Sequence, residues 1–297
     1  MPTLTPESST AARPDAGTTP EPTQHWALRE LPPFPSIAVK LLQLLSDEEV
    51  QVKKLIELLR SDAALSAELL RRANSAMYGA RTQVGSLQQG LVLLGFDQVR
   101  SLAMAVALGS YVKSAMRIAA LRRCWRHSLA TALLSERLAK AVNFEADRAY
   151  TAGLLHDIGL LGLMVNYPKE YANLLLVSRE NNIDLRVTEQ AMFDVDHCEA
   201  GAWLARQWSF PAEILDSVRR HHDPVDFTNY GLLAITQSSV LLSDALGFGV
   251  QPPPDTGLDP AIYDALRKEF PEAAQECLPI RMEVLQDFLT QRINAYE

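Results

Sequence analysis

The chain is poor in the residues that mark the commonest chemistries. Its three cysteines, Cys124, Cys198 and Cys277, are odd in number, far apart and in no CxxC arrangement. That argues against a disulfide scaffold and reads as free thiols in a reducing compartment. No uninterrupted apolar run approaches the ~18–20 residues of a membrane span: LAMAVAL at 102–108 is too short, and an ionisable pair breaks GLLHDIGLLGLMV. The opening segment MPTLTPESSTAARPDAGTTPEP has neither a basic nor an apolar region, so no secretory signal is expected and the location is taken as cytoplasmic. Walker A, GxGxxG and GxSxG sequences are absent, which leaves nucleotide-fold and serine-hydrolase readings without support. Cations are outnumbered too. Lys and Arg total 28 against 36 Asp and Glu, a net charge of −8, so a nucleic-acid-coating role is not expected.

What the chain does have is helical periodicity. No stretch alternates as a strand, and the expected fold class is all-α. Residues 1–27, rich in Thr, Ser, Pro, Ala and Gly through about residue 24, read as a disordered tail. Residues 28–247 read as one helical domain with an N-terminal helical subdomain, and 248–297 as a linker, QPPPDTGLDP, followed by C-terminal helices. Ser61 or Asp62, Ser86 and Asp97 are candidate N-caps, Gly79 a helix stop, and Gly95 a break between two helices. A long amphipathic pattern covers 115–141, and further helices read near 145–158, 168–181, 184–193, 196–207, 211–221, 229–246, 260–269 and 279–295.

Six histidines are present. His25 is at the edge of the tail, and the other five, His127, His156, His197, His221 and His222, all fall between 127 and 222. Asp157 follows His156 inside GLLHDIGLLG, and Asp244 lies in the apolar helix LLAITQSSVLLSDALG, which predicts its burial. Embedded imidazoles and carboxylates relieve one another's desolvation only if they converge, and a metal ion is the economical solution. Nitrogen and oxygen donors without thiolate suit Fe, Mn, Zn or Mg better than a structural zinc site. Adjacent residues on a helix point ~100° apart, so His156 and Asp157 share an ion only near a helix end, which Gly159 is expected to supply. Taken singly, each histidine is more simply a hydrogen-bonded core or surface residue, and His221 or His222 also suits a helix C-terminal dipole. The basic clusters RRCWRH and VRRHH flank histidines and could meet a phosphate-bearing ligand, but read first as solvated helix faces.

The joint pattern of His, HD, later histidines and a distal Asp resembles the HD superfamily of helical metal-dependent phosphohydrolases, and within it the HDOD domain. LPPFPSIAVKLLQLL, LRSDAALSAELLRRANSAMYG, SLQQGLVLLGFDQVRSLAMA, GLLHDIGLLGL and HCEAGAWLARQWSFPAEILDSVRRHHDP carry the resemblance, over roughly residues 28–247. It implies that His127, His156, Asp157 and Asp244 bind a primary divalent metal, and that His197 with one or both of His221 and His222 binds a second. The sequence departs from the catalytic HD-GYP branch, which typically has Lys after HDIG where this chain has Leu160, and a GYP segment where it reads HHDPVDF. The resemblance therefore implies a bacterial signal-transduction module acting through a protein partner or a nucleotide or cyclic dinucleotide. Input is expected from another protein or a small ligand. The alternatives are a working metal-dependent phosphohydrolase and a helical scaffold whose histidines are core residues.

Overall fold

The computed structural model of the chain describes residues 26–29, 31, 33–44, 51–74, 84–253 and 257–296. These residues are predominantly helical, with no strand among them, as the periodicity predicts. The tail through residue 25, His25 and Gly79 lie outside the described residues.

Four short N-terminal helices, α1 (Ser36–Gln43), α2 (Gln51–Arg60), α3 (Ala63–Ala73) and α4 (Leu87–Leu94), gather around α5 (Phe96–Val112). Local chemistry sets their ends. The Leu65 amide donates to Asp62 Oδ1 at 2.9 Å, and the Gln89 amide to Ser86 Oγ at 3.1 Å, each satisfying a first-turn N–H. Gly95, at φ +85°, turns the chain between α4 and α5. It also takes the cap position expected for Asp97, which lies inside the first turn of α5. Arg100 of α5 ties this subdomain to the rest: Nη1 donates to Leu44 O at 3.0 Å, and the guanidinium pairs with Asp147, whose Oδ1 accepts from Ser101 Oγ at 2.7 Å.

The larger bundle comprises α6 (Ala119–Ala141), α7 (Ala146–Leu155), α8 (Ile158–Asn166), α9 (Pro168–Asn181), α10 (Leu185–Phe193), α11 (His197–Gln207), α12 (Ala212–Arg220) and α13 (Leu232–Ala245). Helix α6 is central, packed against both α7 and α13. It begins later than the 115–141 pattern implies, because Ala115–Arg117 form a 3-10 turn first. The helix expected over 145–158 breaks at His156–Asp157, with His156 closing α7 and Asp157 opening α8.

Gly159 is therefore not a helix end but lies inside α8. A Cβ there would sit 2.0 Å from His197 O and 2.4 Å from Gly201 N, so the backbones of α8 and α11 touch where only glycine fits.

After residue 246 the chain returns over α6 and α13 through α14 (Pro260–Glu269), α15 (Glu272–Cys277) and α16 (Met282–Asn294). Met282, Leu285, Leu289 and Ile293 of α16 are buried, and Arg137 Nε of α6 donates to Cys277 O at 2.8 Å. Helix α15, six residues long, is too short to register as periodicity and was not expected. No single helix among the described residues is long and apolar enough to cross a membrane.

Candidate metal centre

Four places in the fold deliver the histidines and Asp157 to one centre. His127 comes from the middle of α6, His156 and Asp157 from the break between α7 and α8, His197 from the first turn of α11, and His221 and His222 from the end of α12. The break lets two neighbours face the same way, which an unbroken helix forbids. Asp196 holds the start of α11 by accepting from the Glu199 amide at 2.8 Å. The contact between Gly159 and Gly201 then sets α11 against the HD pair.

The outer ring nitrogens fix how the imidazoles point. His156 Nδ1 lies 2.7 Å from Gly153 O, His221 Nδ1 2.9 Å from Val218 O, and His127 Nδ1 3.1 Å from both Phe248 O and Ser243 Oγ. A carbonyl only accepts, so each of these nitrogens donates and carries the proton. His197 Nδ1 lies 2.6 Å from Glu189 Oε2, which also accepts from the His197 amide at 2.9 Å. The four rings thus turn their Nε2 atoms inward.

There they meet one another and Asp157. His127 Nε2 is 3.2 Å from His156 Nε2, and His197 Nε2 is 2.9 Å from His222 Nε2. Asp157 Oδ2 lies 3.3 Å from His156 Nε2 and 3.7 Å from His127 Nε2, while Oδ1 faces His221 and His197 at 3.2 and 3.7 Å. Asp157 Oδ1 and His221 Nε2 are both buried without a hydrogen-bond partner among the described residues.

Facing lone pairs and an orphaned carboxylate oxygen are costly when buried, and a cation between them relieves both. His127, His156 and Asp157 form one compact donor group, and His197, His221 and His222 another, joined by Cys198. The residues present therefore fit one or two divalent ions. Bound there, such an ion would lower the pKa of its water and polarise an oxygen ligand.

The charges follow burial and neighbours. Burial pushes His127 down to about 3 and lowers His221 as well, in both cases against the attraction of Asp157. Burial and the His221 and His197 charges hold His222 at about 2. For His197 burial is outweighed by Glu189, which raises it well above the usual imidazole value. Burial opposes the charged form of Asp157 as well, but the His156 ring holds it well below the usual carboxylate range.

Two expectations change. Asp244 is not buried: its side chain is 56% exposed, and Oδ1 sits 3.8 Å from the outer Nδ1 of His127 rather than among the inward nitrogens. The cavity walls, then the Asp157 charge, raise its carboxyl to about 7, though water at its exposed face offsets part of that. Cys198 stands beside the histidines, where no thiol was expected; burial raises its pKa, which favours the thiol form.

Glu189 and Tyr171 were missed altogether. Glu189 is fully buried, takes the Tyr171 hydroxyl on Oε1 and holds His197 on Oε2. The one signal in LRVTEQAMF is that Glu189 shares a helix face with Phe193, four residues on. Outer-shell carboxylates orient a ligating ring and raise its basicity, so Glu189→Gln is expected to weaken metal binding about 10- to 100-fold. Chelator competition on the full chain measures it; unchanged affinity would show that Glu189 serves packing alone.

The cluster opens on a cavity of about 780 Å³. Leu160, Leu241, Val240 and Leu258 make its apolar wall, and Arg186 is its single arginine or lysine among the described residues, against Asp157, Asp184, Asp244 and Asp259. Arg123, one turn before His127, secures the far rim: its Nη2 donates to Gly247 O and Gly249 O at 3.0 Å and Gln251 O at 3.1 Å. The RRCWRH cluster is thus partly structural. In VRRHH, Arg220 pairs at the surface with Asp216 and Asp223, as a solvated face does.

A family model described as HDOD domain matches residues 31–224. An uncharacterised protein of Treponema pallidum is 28% identical over 196 residues, 65% of this chain but 38% of the relative, so the chain spans well under half of that protein. An HDOD domain protein of Geobacter sulfurreducens superposes with a TM-score of 0.68 at 23% identity, covering 90% of this chain and 91% of that one. A Marinobacter aquaeolei protein assigned to signal transduction gives 0.67 at 24% identity, covering 90% of this chain and 60% of that one.

Proposed function

The chain belongs to the HDOD domain family, and from that premise we propose that it is a regulatory module of signal transduction with a retained HD-type metal site, acting through protein or nucleotide binding. One observation carries the reading: four imidazoles turned inward onto a buried carboxylate, beneath a cavity wall with one arginine and no lysine. The donors suit Fe, Mn, Zn or Mg, with His127, His156 and Asp157 around one ion and His197, His221 and His222 around the other; Asp244 would have to turn inward to join the first. Phosphodiester hydrolysis also requires groups that stabilise charge growing on phosphate. Leu160 is fully buried where a lysine would reach the substrate, and the carboxylates around Arg186 repel an anion. A protein that keeps its donors but not its cations is suited to binding rather than turnover.

The second reading, a metal-dependent phosphohydrolase of a nucleotide or cyclic dinucleotide, is favoured by the convergence of every inner donor the sequence named apart from Asp244. Protein purified without chelator separates the two. Elemental analysis is expected to return one or two equivalents of transition metal, and a panel of cyclic dinucleotides and nucleotides to be left intact. Sustained turnover lost in His156→Ala would establish the second reading, and absence of any bound metal would remove the metal site from both.

A further inference from the structure

A second concavity, of about 1,210 Å³, lies on the seam between the N-terminal helices and the bundle and shares no lining residue with the histidine cavity. Its chemistry is the opposite. Arg71, Lys113, Arg117 and Arg122 line it, with Asp62 the single carboxylate, and Asp62 is already committed to the Leu65 amide at the start of α3. In a chain of net charge −8 this is a local excess of positive charge. Lys113, Arg117 and Arg122 are exposed, and none forms an ion pair with a carboxylate among the described residues. Ser110 and Ser114 add hydroxyl donors on the same rim, while Ile37, Leu65, Val106 and Met116 give it an apolar floor.

We propose that this groove binds a phosphate-bearing small molecule with an apolar or aromatic body, of nucleotide size. Phosphate oxygens take Lys, Arg and hydroxyl donors together, and charge-assisted bonds of that kind are the strong ones. Lys113, Arg117 and Arg122, exposed and without carboxylate partners among the described residues, gain from a multivalent anion that reaches more than one of them. The floor favours a ligand with an apolar portion over inorganic phosphate alone. Because the groove joins α1 and α3 to the α5–α6 connection, an occupant bridges the two subdomains.

Fluorescent mant-ATP titrated into the full chain, with pyrophosphate and adenosine as competitors, tests this. Saturable binding is expected, displaced by pyrophosphate but not by adenosine, and weakened as salt rises from 50 to 500 mM. The pair Lys113→Glu with Arg117→Glu should weaken it at least tenfold, and Lys113→Arg with Arg117→Lys should keep it near the parental value. The cations are exposed, so the reversed variant is expected to keep its helical circular dichroism. Absence of saturable binding at millimolar nucleotide or indifference to charge reversal would each overturn the proposal. So would tighter binding of an acidic peptide than of nucleotide in the same groove.

Discussion

Gly159→Ala is expected to destabilise the protein by about 3–4 kcal/mol, a fall in melting temperature of order 10 °C. The added methyl would lie 2.0 Å from His197 O and 2.4 Å from Gly201 N. Both are backbone atoms, so no rotamer change makes room, and α8 and α11 must separate. Gly90→Ala is the control. Its Cβ would meet only Val84 Cγ1, at 3.7 Å, and alanine gains up to ~1 kcal/mol of helix propensity there, so that variant should be as stable as the parent or more so. Thermal and denaturant unfolding read both, and a Gly159→Ala protein within about 1 kcal/mol of the parent would show that the helices are free to move apart.

Asp157→Ala is expected to abolish metal retention, a larger loss than the about 10- to 100-fold cost of an outer-shell change. Its two oxygens face His156, His127, His221 and His197 at 3.2–3.7 Å, so it is the one group shared by both halves of the centre. Asp244→Ala should cost much less, because Asp244 is largely solvated and faces the outer nitrogen of His127. Metal titration against a chromogenic chelator ranks the two. Parental metal content in Asp157→Ala would sink the assignment of that carboxylate as a ligand.

Much of this architecture could be read from the chain. Helical periodicity carried the all-α fold, and the caps at Asp62 and Ser86 and the turn at Gly95 followed from side-chain chemistry close in sequence. The convergence of His127, His156, Asp157, His197, His221 and His222 was inferable because buried polar groups need partners. The errors share a different cause. Gly159 was assigned to a helix end because the helix–helix approach it permits leaves no trace in local sequence. Glu189 sits in an ordinary amphipathic pattern, and only the tertiary positions of His197 and Tyr171 show that it is buried and paired. Asp244 lies on an apolar helix, yet the cavity beside it admits water.

The fastening of residues 247–251 by Arg123 has a thermodynamic corollary. Phe248 O, which receives the His127 proton, lies between two of the carbonyls that Arg123 holds, so the guanidinium and the imidazole grip one short loop from the same face of α6. Loosening that loop frees the His127 ring to change tautomer, and whatever locks the ring tightens the loop by an equal free energy. Residues 247–251 lead into the C-terminal helices, so the position at which those helices leave the bundle and the proton on the His127 ring are set by one loop.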